Sequence, residues 1–359
     1  MKRISMQDIA EAAGVSRMAV SYALRNNPKV PATTRDHIKK IAEDLGYRPD
    51  PLIQRLSVHL ANARRSPHAG CIGYITTDHA KSAWQWIPAY RTAFNALVER
   101  AEQLGYRTEE FWLGETGMTA AKLSRILVHR GIAGIVIAPM PGGAKPPRLK
   151  WEDFAGVALG YSMRVPAVHR VVNHQLHTGL EAIRQLQSLG YQRIGLCVSR
   201  DQNDRVDNAW LHALFFHHSC VAGSRRVAPH VPAEPTRDGI LDWIEQERPD
   251  CLLVHDKSVR GYLQDAGYRV PEDLGVVMLD HNAANEPDFA GMNQRHGQIG
   301  AACADILVAQ IHRNEKGLPA APLTVMVDGV WVPGKTVRPK TASILSVKSP
   351  KKYREDSRS

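Results

Sequence analysis

The stretch SMQDIAEAAGVSRMAVSYAL, residues 5–24, holds two short segments of helical apolar spacing joined at a glycine, and the reading of the chain starts from it. Ser5-Met6-Gln7-Asp8 has the S-x-x-D form of a capping box, in which a hydroxyl and a carboxylate satisfy free amide hydrogens at a helix start. The spacing predicts a helix over Met6 to Ala13 with Ile9, Ala10 and Ala13 on its inner face. Gly14 ends it by supplying the positive φ of a tight turn. Ser16 caps a second helix running to about Leu24, whose Val20 and Leu24 turn back toward Ala10 and Val15. A small residue at 10, glycine at 14 and valine at 20 make the steric skeleton of a helix-turn-helix. A third helix from about Ala32 to Leu45 puts Ile38, Ile41, Ala42 and Leu45 on one stripe and stops at Gly46.

The outer side of the second helix carries Arg17, Met18, Ser21, Tyr22 and Arg25, a face suited to a major groove. Arg17 can fork onto guanine O6 and N7, Met18 and Tyr22 can touch thymine methyls, and the Ser16 and Ser21 hydroxyls can reach phosphates. The candidate DNA contacts in the head are therefore Ser5, Ser16, Arg17, Met18, Ser21, Tyr22 and Arg25. A three-helix cap without DNA contact is the bland alternative, and the charge distribution weighs against it. Of a net charge of +10, residues 1–65 hold 12 basic against 6 acidic side chains and residues 340–359 hold 6 against 2. The 28 basic and 28 acidic residues between them cancel, so only the ends are built to meet a polyanion. For the tail alone, solubility explains the charge as well.

The 359 residues, 43% of them hydrophobic, suffice for a small head and a body of one or two α/β units. No apolar run approaches the roughly 18 residues of a membrane helix, and the first twenty residues lack the apolar core of a signal peptide. A cytoplasmic protein without membrane contact is expected. Cys71, Cys197, Cys220, Cys251 and Cys303 are scattered, with no C-x-x-C spacing, so no disulfide framework or zinc knuckle is expected. His212, His217 and His218 form no i, i+4 pair. We expect no metal and no cofactor.

From Gly70 short apolar runs alternate with helical patterns. CIGYITT, a helix ending at Leu104, EEFWL, a helix through His129 and GIVIAP make a β-α-β-α-β succession. A second series follows: HRVV, a helix ending at Leu189, RIGLCVS, a helix around Trp210, CLLVH and GVVMLD. The fold class expected is an all-α helix-turn-helix head on an α/β body of two Rossmann-like parallel-sheet lobes. The body has no G-x-G-x-x-G opening a helix after the first strand, no phosphate-binding G-x-x-x-x-G-K-[ST] and no G-x-S-x-G elbow. Nucleotide-dependent and hydrolytic enzymes lack their machinery here, and no enzyme activity is expected. A solute-binding protein using the same body is the other class, and it would carry a signal peptide in place of the basic head.

The head, with SMQDIAEAAGVSRMAVSYAL and the downstream GYRPDPLIQRLS, strongly resembles the lactose-repressor (LacI) family of bacterial transcription regulators. QSLGYQRIGL and GYRVPEDLGVVMLD extend the resemblance, more loosely, into the body. The resemblance implies base-reading positions for Arg17 and Met18, and a segment from Pro49 to about Leu60 that forms a hinge helix only on operator DNA. Leu56 would then be the apolar wedge in a minor-groove base step, its alternative being packing within a linker helix. The chain departs from the family pattern at Tyr22, Arg25, Pro31 and the hinge residues Asp50 to Gln54, so an operator sequence does not carry over.

For the body the resemblance implies a type I periplasmic-binding-protein fold, with chain crossings between the lobes near 165, 295 and 330. A small molecule, a sugar or sugar derivative, would sit between the lobes at the C-terminal ends of the strands. The candidate effector contacts are Asp78, His79, Trp84, Trp86, Asp204, Arg205, Asn208, Asp256, Asp280 and Asn282. Trp84 and Trp86 either stack on a sugar face or anchor their loop. Asn173-His174, where relatives have an Asp-Asn pair, and Lys257, Ser258 and Val259 after Asp256 point to an altered pocket.

After a helix near Ile299 to Arg313, LTVMVDGVWVPGKTVR reads as an alternating strand pair. The expected domains are a head at 1–48, a hinge at 49–65, a body at 66–340 and a basic tail at 341–359. Within the body, lobe 1 takes about 66–165 and 296–330, and lobe 2 about 166–295 and 331–340. Tetrameric members of the family it resembles add a C-terminal leucine heptad, which this sequence lacks, so the resemblance implies a homodimer on two-fold double-stranded operator DNA.

Overall fold

Ser5 starts helix α1 (Met6–Ala13) with both halves of the capping box: its hydroxyl accepts from the Asp8 amide, and the Asp8 carboxylate accepts from the Ser5 amide at 2.7 Å. Gly14 adopts φ 65°, ψ 31° and turns the chain into α2 (Arg17–Leu24). These helices and α3 (Ala32–Asp44) close over a core of Ile9, Ala10, Val20, Ala23, Val30, Ile38 and Ala42. The buried residues of α2 are Val20 and Ala23, while the expected inward Leu24 is only half-buried. Pro31 precedes α3 without a side-chain cap bond, as its missing hydroxyl requires. The computed structural model describes residues 4–24, 30–47, 70–282 and 287–340. Arg25, Leu56, the hinge at 49–65 and the tail at 341–359 lie outside the described residues.

The body contains two sheets. The first orders its strands β10-β5-β4-β3-β1-β2, all parallel: β1 (Gly70–Thr76), β2 (Tyr106–Trp112), β3 (Ile132–Ile137), β4 (Ala155–Leu159), β5 (His169–Asn173) and β10 (Thr324–Val327). The second is β11-β9-β8-β7-β6, built from β6 (Ile194–Cys197), β7 (Cys251–Val254), β8 (Gly275–Met278), β9 (Ala290–Asn293) and β11 (Val330–Val332). Only β11 runs antiparallel to its neighbour there. The central strands are buried on both faces, which is why they read as unbroken apolar runs.

Two readings need correction. HRVV, expected to open the second lobe, is β5 and pairs with β4 in the first sheet, so the first crossing follows Asn173 and not residue 165. The expected C-terminal strand pair is two strands of different sheets: β10 joins β5, and β11 joins β9 after the chain crosses at Asp328-Gly329. Both segments form strands, though their burial does not alternate, and strand texture carries no information about which sheet a strand enters.

Helices cover both faces. In lobe 1, α4 (Pro88–Gln103) packs against α11 (His296–Arg313), and α5 (Ala120–His129) covers the opposite face. At Gly300 the α11 backbone approaches so closely that a Cβ would lie 1.9 Å from the Ala93 carbonyl oxygen of α4. Lobe 2 is flanked by α6 (Gln175–Ser188) and α8 (Ala209–Ser219) on one face and by α9 (Arg237–Glu247) and α10 (Ser258–Asp265) on the other.

Candidate functional site

In the head, Arg17 and Met18 stand exposed on the first turn of α2, Met18 by 65%. Ser16 uses its hydroxyl oxygen to accept from the Ala19 amide at 3.2 Å, and Ser5 donates its hydroxyl to Asp8 at 2.6 Å. Both serines therefore hold helix starts in place. Ser21 is half-buried, and Tyr22 packs partly against the head core, which leaves Arg17 and Met18 as the most prominent groups of the face.

In the body, polar side chains gather where the strands of both sheets end. Asp78 follows β1, Asp280 follows β8, and the short helix α7 (Arg200–Arg205) follows β6. The connection is physical: Arg205 donates from its guanidinium to the Tyr90 hydroxyl on α4, one lobe to the other. Arg164, after the first sheet's β4, donates to the Asp204 carbonyl oxygen at 2.9 Å and pairs with Asp207 at 3.2 Å. On the same rim Gly142 abuts Asp201, where a Cβ would lie 2.4 Å from a carboxylate oxygen.

Asp280 receives His296, the first residue of α11, at 2.8 and 3.0 Å. Burial opposes the charge on Asp280, but the charge and hydrogen bond of His296, with His255 and His281 behind it, outweigh burial and hold the carboxyl below its usual range. Burial likewise pulls the His296 imidazole down, and the Asp280 charge and hydrogen bond override it, so the imidazole titrates above its ordinary value. Burial pushes the Tyr90 phenol up, opposed by Arg205 and reinforced by Asp280, Asp78 and Asp201. These groups thus share one electrostatic site. Asp78 is pushed up by burial, with Arg205 among the opposing charges, and one of its carboxylate oxygens is buried without a hydrogen-bond partner.

The remaining sequence candidates divide. Trp84 is buried to 1%, wedged between Tyr74 and Phe94, with its indole donating to Glu110 at 2.7 Å. It is a loop anchor and presents no face to a ligand. Trp86, on the same 3-10 turn, is 85% exposed, and His79 is exposed beside Asp78. Asp256 is exposed and accepts from the Ser258 amide at 2.9 Å, a local turn at the start of α10. Asn208 accepts from buried Asn203 at 2.6 Å and shapes the left-handed turn between α7 and α8. Asn282 is half-buried two residues beyond Asp280. Sequence reasoning missed Tyr90, Arg164 and His296. None belongs to a motif, and His296 is marked only by its place at the start of a helix after β9.

A helix-turn-helix joined in one chain to a two-lobed body with a polar interlobe cleft defines a DNA-binding transcription regulator of the ligand-responsive class. Residues 5–50 match the profile of bacterial regulatory proteins of the lacI family, and residues 183–337 match the periplasmic binding protein-like domain. The chain thus carries a helix-turn-helix domain of the lacI type and a periplasmic binding protein-like domain, and the relatives it resembles over most of its length are transcription regulators. It is similar to the HTH-type transcriptional regulator reg1 of Streptomyces lividans, 28% identical with 94% of this chain and 96% of that protein covered. Against the lactose operon repressor of Escherichia coli it is 27% identical, covering 86% and 85%. These relatives are regulators and not enzymes. Among solved structures, the transcriptional regulator CelR-cellobiose complex superimposes with a TM-score of 0.57 at 18% identity, covering 93% of this chain and all of that one. Among the described residues no helix is long and apolar enough to cross a membrane.

Proposed function

We propose that this regulator is a cytoplasmic repressor that binds two-fold operator DNA as a homodimer and is controlled by a small carbohydrate held between its lobes. The observation that carries the effector reading is the convergence of Asp78, Tyr90, Arg205, Asp280 and His296 from both lobes onto one cleft. Carboxylates, a guanidinium, a phenol and an imidazole supply donors and acceptors in the mixture a polyol needs, at the strand ends where open α/β sheets hold ligands. The cellobiose complex named above is a sugar complex on the same fold, which supports the ligand class. The lac repressor dimer bound to operator supports the assembly.

In this reading Arg17 and Met18 read bases, Ser16, Ser21, Tyr22 and Arg25 support them, and the segment at 49–65 with Leu56 couples head to body. Asp78, Arg205 and Asp280 contact the effector directly, with His79, Trp86, Asp204, Asn208, Asp256 and Asn282 around them. Ligand in the cleft changes how the lobes meet, and the two hinges of a dimer feel the change. The test is operator affinity by fluorescence anisotropy on DNA upstream of the protein's own gene, at two salt concentrations, with and without a panel of mono- and disaccharides. One sugar shifts affinity by roughly 5- to 150-fold, the usual span of allosteric coupling. A sugar that binds the cleft and leaves operator affinity unchanged refutes the coupling.

A further inference from the structure

Beyond the C-terminal ends of β5 and β10, neighbouring strands at one edge of the first sheet, three metal-ligating groups meet. His174 precedes α6 and His177 lies in its first turn, their rings stacked with centroids 5.4 Å apart and planes 18° apart. Asp328, from the crossing between β10 and β11, places one carboxylate oxygen 3.0 Å from His174 Nδ1 and 3.6 Å from His177 Nδ1. The three ligand atoms all lie within 4.8 Å of one another.

We propose that His174, His177 and Asp328 form a binding site for a divalent transition-metal ion of the zinc class. The chemistry fits: two borderline imidazole nitrogens and one hard carboxylate oxygen form a donor set that such ions take, with the remaining positions left to water. The nitrogen-to-oxygen distances fit too. Ligand atoms about 2.0–2.1 Å from a tetrahedral ion stand roughly 3.3 Å apart, and the two nitrogen-to-oxygen distances fall on either side of that value.

The backbone beneath the site is fastened in place. The His174 amide donates to the Val327 carbonyl oxygen at 2.9 Å, so the two ligand-bearing segments are joined one residue from the site. Gly329, beside Asp328, has no room for a side chain, since a Cβ would sit 2.6 Å from the Thr178 hydroxyl. The His177 Nδ1 atom is buried without a hydrogen-bond partner, an acceptor site that a metal would satisfy. The ion would bridge the first and third of the three crossings that link the lobes. Sequence reading expected no metal from the scattered cysteines and the spacing of His212, His217 and His218; it did not consider His174 and His177, which the fold brings to Asp328 from 154 residues away.

The test uses the full-length chain stripped with EDTA and titrated with Co2+, read by its visible ligand-field bands, then with Zn2+ in competition. Wild type binds one equivalent per chain. H174Q, H177Q and D328N each weaken binding by about tenfold or more, while H217Q leaves it unchanged. A measurement independent of the variants is diethylpyrocarbonate modification of wild type followed by mass spectrometry. Zn2+ protects His174 and His177 and leaves exposed His212 reactive. Absence of Co2+ and Zn2+ binding, binding that survives in all three variants, or unprotected His174 and His177 in the presence of Zn2+ overturns the proposal.

Discussion

Asn173 and Gln294 meet at the centre of the crossings: the Asn173 side-chain amide donates to the Gln294 backbone carbonyl at 3.2 Å and to the Val327 carbonyl at 2.9 Å. Asn173 ends β5, Gln294 follows β9 and Val327 ends β10, so one side chain ties all three places where the chain changes lobe. Its own carbonyl oxygen accepts from Thr178 at 2.8 Å. The Gln294 side chain continues the network, donating to the Leu279 carbonyl at 3.0 Å and accepting from Gln175, which in turn accepts from the Trp210 indole. A buried network with its members satisfied fixes geometry, and a break in it is costly.

Asn173→Ala removes both donors and strands the Thr178 hydroxyl and the Gln294 carbonyl. Urea denaturation shows a loss of about 2 kcal/mol, the penalty of unmaking buried hydrogen bonds on one side only. Asn173→Asp is no rescue, because an ionised carboxylate cannot donate to two carbonyl oxygens. An Asp variant as stable as wild type would show that the network does not hold the crossings.

The Asp280–His296 pair makes stability depend on pH in a defined direction. His296 has a folded-state value raised above the ordinary 6.5, so its contribution is complete below that value and fades as pH rises through the raised one. Asp280 is held below the ordinary 3.8, so its contribution is present above that value and is lost only as pH falls through the lowered one. The window in which both act therefore runs from above the carboxylate range to about the ordinary imidazole value. Melting temperatures of wild type and H296Q, taken from pH 5 to 9, differ most at the acid end of that series and converge as pH rises.

How much of this was legible in the sequence depends on whether a residue's role is local. Ser5, Gly14 and Ser16 act within a few residues of themselves, and their patterns announce the helix-turn-helix directly. β1, β3, β6, β7 and β8 are doubly buried and appear as apolar runs, whereas β4, AGVAL, is short and composed of small residues and offers little contrast. Membership of a lobe is not local: His169–Asn173 and Val330–Val332 have the right texture for strands and nothing in it that names their sheet. The cleft shows the same division. Asp78, Arg205 and Asp280 sit at strand ends or in the helix after one, and strand ends can be found by pattern. Tyr90 and His296 enter from helices whose registers only the folded lobes define.

Gly14→Ala tests strain at the helix-turn-helix apart from packing. Nothing lies within 4 Å of an added Cβ, so the whole cost is the left-handed backbone, about 1 kcal/mol. The head loses that much stability in thermal melts while its core is untouched. Gly14→Asn, which tolerates this conformation better, falls between the two.

The cysteines differ in reactivity chiefly by burial. Burial pushes the Cys197 thiol up to about 12 and raises those of Cys71, Cys251 and Cys303, while Cys220 is exposed after α8. Iodoacetamide under native conditions at pH 8 therefore alkylates Cys220 alone, and unfolding in urea releases the other four. Native labelling at Cys251 or Cys303 would mean that the strands or helices around them open readily.

Arg17→Ala separates reading from folding. Arg17 is exposed at the start of α2 and outside the head core, so its removal leaves the melting temperature unchanged. If it forks onto a guanine, operator affinity falls by about 1–3 kcal/mol and the preference at that one base pair relaxes. If it only meets phosphate, affinity falls evenly across operator variants and the salt dependence becomes shallower by about one ion. Anisotropy titrations over single-base operator variants at several salt concentrations distinguish the two. Met18→Ala is the companion measurement: loss confined to a thymine position, with the salt slope unchanged, is what an apolar methyl contact gives. Loss of affinity in neither variant would move the reading surface off α2 altogether.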